Sequence, residues 1–153
     1  MKVPFHKKSL SDGEYIGRLQ LLDVRSPEDS IIPNISLDDF YKLLVSYGWC
    51  YSTSVYKASG GYWDGHGDGQ CAVTAAFAYD VFGGKIIKPM SWHYANMING
   101  VLVDFTSWDG AYKLPDKPKS VPRWMTCKGK DASARLELLK QRVFTAIKEQ
   151  GLN

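Results

Sequence analysis

The segment that decides the fold runs from Ser91 to Ser107 and reads SWHYANMINGVLVDFTS. Near its centre lies Asn99-Gly100, the residue pair that most favours a two-residue type I′ turn between antiparallel strands. With that pair at the tip, Ile98 faces Val101, and the register of every other pair follows. The segment therefore predicts a β-hairpin with a defined register.

Side chains alternate between the two faces of a strand, so this register assigns each of them to a face. One face holds His93, Ala95, Met97, Leu102, Asp104 and Thr106, and the other holds Trp92, Tyr94, Asn96, Ile98, Val101, Val103 and Phe105. His93 and Asp104 are then diagonal neighbours within side-chain reach, whereas Asn96 points the other way. The register thus predicts Asp104, and not Asn96, as the partner of His93.

A second informative segment precedes the hairpin. Cys71 follows a stretch, residues 60–69, that contains five glycines, and it opens an alanine-rich apolar run over 71–82. The glycines exclude regular structure, and the run predicts a largely buried helix that ends at Gly83-Gly84. Asp68 is positioned to cap the N–H groups at the start of that helix.

Cys71, His93 and Asp104 are the residue types of a nucleophile, a base and a group that orients the base. The positive end of the backbone dipoles at a helix N-terminus favours a thiolate. A carboxylate beside one imidazole nitrogen fixes the tautomer and leaves the other nitrogen to take the proton of the thiol. We therefore predict a catalytic triad of these three. The alternative for each residue taken alone is a buried cysteine, a core histidine or a surface carboxylate.

Four further residues are candidates for the same site. Gln70 can donate its side-chain N–H to an oxyanion beside the backbone N–H of Cys71, or it can bind the glycine loop instead. Trp63, Trp92 and Trp108 lie near the triad in sequence and are predicted to line a cleft, with ordinary core packing as the alternative for each.

The glycine-rich stretch has the ligand types of a metal site without its spacing. Asp64, His66 and Asp68 resemble the start of a calcium loop, but Ala75 stands where such loops need a bidentate glutamate. Zinc sites show Cys or His pairs at short spacing, and the sequence has none. We expect no metal and no other cofactor.

The flanking segments predict two more helices. Ser36, with Asp39 three positions later, is a capping signature for a helix over about 37–47. An amphipathic helix over about 131–150 carries an apolar stripe of Leu136, Leu139, Val143, Phe144 and Ile147. Residues 1–34 are predicted to be irregular or extended, 85–88 to form a strand that Pro89 ends, and 108–130 to form a long loop.

Length and composition bound the class of protein. A chain of 153 residues fits one domain, 1–153, and 44% apolar against 23% charged residues predicts a folded globular protein. The net charge of +3 is spread along the chain, which argues against a nucleic-acid partner. No segment approaches the ~20 apolar residues that span a bilayer, which argues against a membrane partner.

The cysteines and the N-terminus indicate a compartment. Cys50, Cys71 and Cys127 cannot all pair within one chain, and the basic N-terminus lacks the apolar run of a signal peptide. These features predict three reduced thiols in the cytoplasm. The alternative is a Cys50–Cys127 disulfide in a protein that leaves the cell without a signal peptide.

Several short blocks follow one another in the chain: GQCAVTA at 69–75, FGGKI at 82–86, His93-Tyr94 with Asn96, and Gly100 followed by VDFT at 103–106. In their order and spacing they resemble the YunG family of small bacterial proteins. The resemblance covers roughly residues 63–108, the core region of the predicted site. More distantly, a Cys at a helix start, a His on a strand and an Asp on the next strand are similar to the papain-like group, which includes NlpC-type peptidases, transglutaminases and arylamine acyltransferases. The resemblance implies an α+β fold with a central antiparallel β-sheet, the Cys71 helix packed on it, and the triad roles given above.

The expected function is a cysteine-nucleophile hydrolase that attacks the amide, isopeptide or thioester carbonyl of a peptide or acyl substrate, proteins included. One alternative is an acyltransferase, transglutaminase-type or deamidase-type enzyme on the same triad. Another is a non-catalytic binding module of the same fold. The oligomeric state is left open.

Overall fold

The computed structural model describes residues 6–9, 24–106 and 119–151 of the chain. In chain order its elements are β1 (His6–Ser9), α1 (Leu37–Leu43), a π-helical turn (Leu44–Gly48), a 3-10 turn (Tyr51–Thr53), α2 (Tyr56–Ser59), α3 (Cys71–Phe82), β2 (Lys85–Met90), β3 (His93–Ile98), β4 (Val101–Asp104), β5 (Lys119–Val121), a second 3-10 turn (Arg123–Thr126) and α4 (Gly129–Gln150).

One five-stranded sheet organises the fold, with strand order β1-β4-β3-β2-β5 and antiparallel pairing throughout. The predicted hairpin forms β3 and β4 at its centre, and Ile98 pairs with Val101 as expected. Asn99 and Gly100 have φ values of 51° and 76°, as a type I′ turn requires. The α+β class with a central antiparallel sheet is therefore confirmed.

The two faces of the hairpin pack into different apolar clusters. Val103 and Phe105 join the main core, where α1, α3 and α4 meet the sheet. Ala95 and Leu102, on the other face, pack with Ile87 of β2. This separation confirms the alternation predicted from the turn.

Helix α3 lies across the sheet and is buried along most of its length. Its alanines allow close approach, and its central Phe77 meets Phe40 of α1 edge to face at 5.0 Å between ring centroids. Asn96 of β3 donates its side-chain N–H to the Ala75 carbonyl at 3.0 Å, which ties the sheet to the helix. The predicted bounds of this helix, 71–82, are confirmed, and Gly83 ends it with φ 76°.

The flanking helices complete the main core. Ser36 caps α1 by accepting from the Asp39 N–H at 3.1 Å, as the capping signature predicts. Helix α4 buries most of its predicted stripe, although Phe144 is 37% exposed. Asp80 of α3 binds Arg123 and Lys140 at 2.6 and 2.7 Å, which fixes the C-terminal segment against α3.

Three local predictions are wrong. Asp68 does not cap α3, because its carboxylate accepts from the Tyr56 hydroxyl instead. Pro89 does not end β2; the strand continues through a register shift between Ile87 and Met90, where a residue without an N–H is tolerated. The predicted loop over 108–130 contains β5 and a 3-10 turn in its described part. Residues 6–9, in the lead-in predicted to be irregular or extended, form strand β1.

Candidate active site

The first residue of α3 supplies the thiol. Cys71 follows Gln70, which occupies the N-cap position without making a side-chain cap. The sulfur lies 3.8 Å from the carbonyl oxygen of Trp92, in the turn that leads into β3. The N-terminus of the helix and the start of the hairpin therefore meet at this point.

A buried carboxylate orients the imidazole of His93. The Nε2 atom of His93 lies 2.5 Å from Oδ2 of Asp104, whose side chain is 1% exposed. The second oxygen, Oδ1, accepts from the backbone N–H and the hydroxyl of Thr106, both at 3.2 Å. The carboxylate is thus fixed on both sides, and the imidazole is held with Nε2 toward it.

The imidazole is also hydrogen-bonded to the thiol, and this affects its charge. Burial alone lowers the pKa of His93, but the hydrogen bonds to Asp104 and then to Cys71 outweigh it and raise the pKa to about 10. His93 is therefore an imidazolium at neutral pH, placed between a carboxylate and the sulfur. A cation in that position favours a thiolate.

An open cleft of about 590 Å³ gives access to these groups. Its walls come from the start of α2, the glycine-rich loop, the start of α3 and the hairpin. Gly67 of the loop is packed so closely on Thr106 that a Cβ there would lie 2.6 Å from the Thr106 backbone. The glycine is therefore required for the loop to close over the end of β4.

Comparison with known proteins places this region in a family. The sequence profile described as "YunG protein" matches residues 36–148, which include all of the cleft and most of the core. The chain belongs to the YunG family. A curated relative, "Uncharacterized protein YunG" of Bacillus subtilis (strain 168), is 57% identical over 42 residues. The match covers 26% of this chain and 36% of that protein, so the chain spans little more than a third of the relative's length. No solved structure matches the chain.

Within the YunG-family region, the three residues predicted as a triad come together. Cys71 and His93 line the cleft, and Asp104 lies behind His93. Asn96 is not part of this group, because its side-chain N–H donates to the Ala75 carbonyl of α3. Their catalytic roles stay predictions, which the experiments below test.

Gln70 requires a correction. Its side chain is fully buried, its Oε1 accepts from the Thr53 hydroxyl at 2.8 Å, and its Nε2 donates to the Cys50 carbonyl at 2.9 Å. Because the amide is used inside the protein, it does not face the cleft as an oxyanion donor. The backbone N–H groups at the start of α3 are the donors that remain, since the first turn of a helix leaves them without intrahelical acceptors.

The three tryptophans predicted to line the cleft differ. Trp92 does line it, with 92% of the residue exposed. Trp63 instead packs against the main core and donates its Nε1–H to the His66 carbonyl at 2.8 Å, so it braces the glycine-rich loop. Trp108 lies outside the described residues.

One contact between two cleft residues was not predicted from the sequence. Tyr56 and Asp68 both line the cleft, and the Tyr56 hydroxyl donates to the Asp68 carboxylate at 2.7 Å. No spacing rule connects a short helix to a residue twelve positions later in a loop, so this contact had no local signal.

The structure also bears on metals and membranes. Within residues 6–9, 24–106 and 119–151, no three His, Cys, Asp or Glu side chains group in a way that could hold a metal ion. No helix in these ranges has the length and apolar character needed to cross a bilayer.

Proposed function

We propose that this protein is a cysteine-nucleophile hydrolase of papain-like architecture that attacks an amide, isopeptide or thioester carbonyl. One observation carries the proposal: a hydrogen-bonded series of thiol, imidazole and buried carboxylate that opens on a cleft. Nucleophile, base and orienting group are the three components that acyl chemistry at a thiol needs. A strongly shifted pKa at a cleft residue is typical of functional sites.

The proposed reaction proceeds in two halves. The Cys71 thiolate attacks the carbonyl carbon, a C–S bond forms, and the oxygen takes up the negative charge. The bond to the leaving amine or thiol then breaks, and the His93 imidazolium transfers its proton to the leaving group. In the second half, neutral His93 takes a proton from water, the resulting hydroxide attacks the thioester carbonyl, and the Cys71 thiolate leaves.

The oxyanion of this reaction has a binding site at the start of α3. The N–H groups of Cys71 and Ala72 belong to the first turn, and no side chain caps that turn. Such donors stabilise developing negative charge when they are fixed before the reaction begins. The helix start thus supplies both the nucleophile and the oxyanion donors.

The compartment we propose is the cytoplasm, and the substrate a peptide or acyl compound. Cys50, Cys71 and Cys127 are all free thiols, as expected of a protein kept under reducing conditions.

Two measurements test the proposal. First, iodoacetamide alkylation at pH 6.5, followed by peptide mass spectrometry, compares the three cysteines in one sample. We expect Cys71 to react at least about tenfold faster than Cys50 or Cys127, because the thiolate is the reactive form. Second, a small acyl thioester should give an acylated protein by intact-mass measurement, and Cys71→Ser should abolish that acylation while Cys127→Ser should not.

The outcomes separate the candidate functions. Acylation at Cys71 followed by release to water supports a hydrolase, and release only to an added amine indicates an acyltransferase of the same triad. If Cys71 alkylates no faster than Cys50 or Cys127 and no thioester acylates it, the protein is a binding module and the proposal is wrong.

A further inference from the structure

The described walls of the cleft carry negative charge without a compensating basic residue. Asp64 and Asp68 line it and are both exposed, and none of the described lining residues is Lys or Arg. Among the described lining residues the one cation is His93, and the buried carboxylate of Asp104 is its counter-ion. The charge offered to an incoming molecule is therefore that of the two loop aspartates.

Each of these aspartates is fixed in place by a hydrogen bond. Asp64 accepts from the His66 backbone N–H at 2.9 Å, and Asp68 accepts from the Tyr56 hydroxyl at 2.7 Å. The pKa of Tyr56 is raised, first by the hydrogen bond to Asp68, and also by the charges of Asp64 and Cys71. Both carboxylates therefore act on the Tyr56 hydroxyl at one wall of the cleft.

An aromatic ring stands at the rim of the same cleft. Trp92 is almost fully exposed, and its φ of 69° lies in the left-handed region that bulky residues rarely adopt. Its carbonyl oxygen lies 3.8 Å from the sulfur of Cys71. An exposed indole face attracts ammonium and guanidinium groups through its quadrupole.

We propose that the cleft selects substrates that carry a positive group, an amine or a guanidinium, close to the carbonyl attacked by Cys71. This inference rests on the proposed function, because a substrate presupposes that Cys71 attacks a carbonyl. The charge selection itself can be measured without turnover. Asp64 and Asp68 attract the positive group, Trp92 offers it a ring face, and an anionic substrate is repelled. A lysine or arginine side chain next to the scissile bond and a small free amine share this chemistry.

Three thiol reagents of similar reactivity test the selection directly. They are methanethiosulfonates that bear a trimethylammonium, a sulfonate or an uncharged methyl group. In each reaction the Cys71 thiolate attacks the sulfenyl sulfur, a disulfide forms, and methanesulfinate leaves. The measured quantity is the rate of Cys71 modification by the cationic reagent divided by the rate with the anionic one, and this ratio is then divided by the same ratio for a small free thiol. We expect a value of at least about ten, since a charged cleft changes association rates by 10- to 1,000-fold.

A double variant identifies the groups responsible. Asp64→Asn with Asp68→Asn keeps an acceptor oxygen for each existing hydrogen bond and removes both charges, so the rate ratio should fall toward that of the free thiol. The matched control is Glu28→Gln with Asp29→Asn, which removes two exposed negative charges outside the cleft lining. Raising the ionic strength from about 0.01 to 1 M should reduce the ratio in wild type and control alike, because salt screens exposed charges.

The result that overturns the inference is a ratio at Cys71 equal to that at Cys50 and Cys127, or one that the double variant leaves unchanged. Model thioesters of lysine, norleucine and glutamate, with an amide of lysine and a diamine as competitors, then identify the source of the positive group. A charge-selective Cys71 that no thioester acylates contradicts the proposed function alone. Acylation without a preference for lysine over glutamate contradicts the charge selection alone.

Discussion

Replacing Asp104 with asparagine tests the electrostatics of the site most directly. The Oδ2 atom of Asp104 lies 2.5 Å from Nε2 of His93, and the carboxylate is 1% exposed. Hydrogen bonds to charged groups contribute about 1.5–3 kcal/mol, and a pKa shift of one unit corresponds to about 1.4 kcal/mol. Asp104→Asn should therefore lower the pKa of His93 by about one to two units from its value of about 10.

The geometry also predicts which hydrogen bond an asparagine at position 104 loses and which tautomer of His93 results. Oδ1 of Asp104 accepts two hydrogen bonds from Thr106 while Oδ2 faces the imidazole. Asparagine has one acceptor oxygen, so either Thr106 or His93 must face its NH₂ group. If Thr106 keeps the oxygen, the NH₂ group favours the neutral imidazole with its proton on Nδ1, the tautomer that cannot accept a proton from the thiol.

Nitrogen NMR of the histidine side chains measures both effects, because the chain has only three histidines. The ¹⁵N shifts report the protonation midpoint and the tautomer of His93 in wild type, Asp104→Asn and Cys71→Ser. Cys71→Ser should also lower the midpoint, since the thiol supplies the second upward contribution. A wild-type midpoint near the ordinary value of 6.5, or one unchanged in Asp104→Asn, would refute the reasoning.

Three other perturbations have defined outcomes. Gly67→Ala should push the loop off Thr106, where its Cβ would lie 2.6 Å from backbone atoms, and so change the His93 ¹⁵N shifts; unchanged shifts would contradict the close packing. Thr74→Val should cost about 1–3 kcal/mol in urea unfolding because the buried Trp49 Nε1–H loses its acceptor at 2.8 Å, whereas Thr74→Ser should cost much less. The raised pKa of His93 stabilises the fold fully below pH 6.5 and progressively less as the pH rises through about 10. The free energy of unfolding should therefore fall between pH 7 and 10 in wild type, and it should fall less in His93→Gln. Parallel curves of unfolding free energy against pH for the two proteins would contradict this.

The hairpin and α3 were predictable because their signals are local. Asn99-Gly100 fixes its own turn, and a fixed turn determines the faces of both strands. The alanine-rich run after Cys71 specifies a buried helix without reference to any distant residue. Together these elements place a thiol, an imidazole and a carboxylate within one region.

The features that the sequence did not predict all depend on distant partners. Strand β1 becomes a strand by pairing with β4, although its own residues are polar and basic. Gln70 turns inward because Thr53, seventeen positions earlier, offers a hydroxyl. Asp68 leaves the helix start because the Tyr56 hydroxyl binds it. In each case two local preferences compete, and a tertiary contact decides between them.

Strand β1 also matters for handling the protein. It covers the outer side of β4, and His6 pairs with Asp104 itself. Removal of the first nine residues would leave the backbone N–H and C=O groups on the outer side of Val101–Asp104 without their partners in β1. An unpaired edge strand of this kind pairs with strands of other molecules. Shortened versions of the chain should therefore self-associate, and they should do so through the strand that carries the orienting carboxylate.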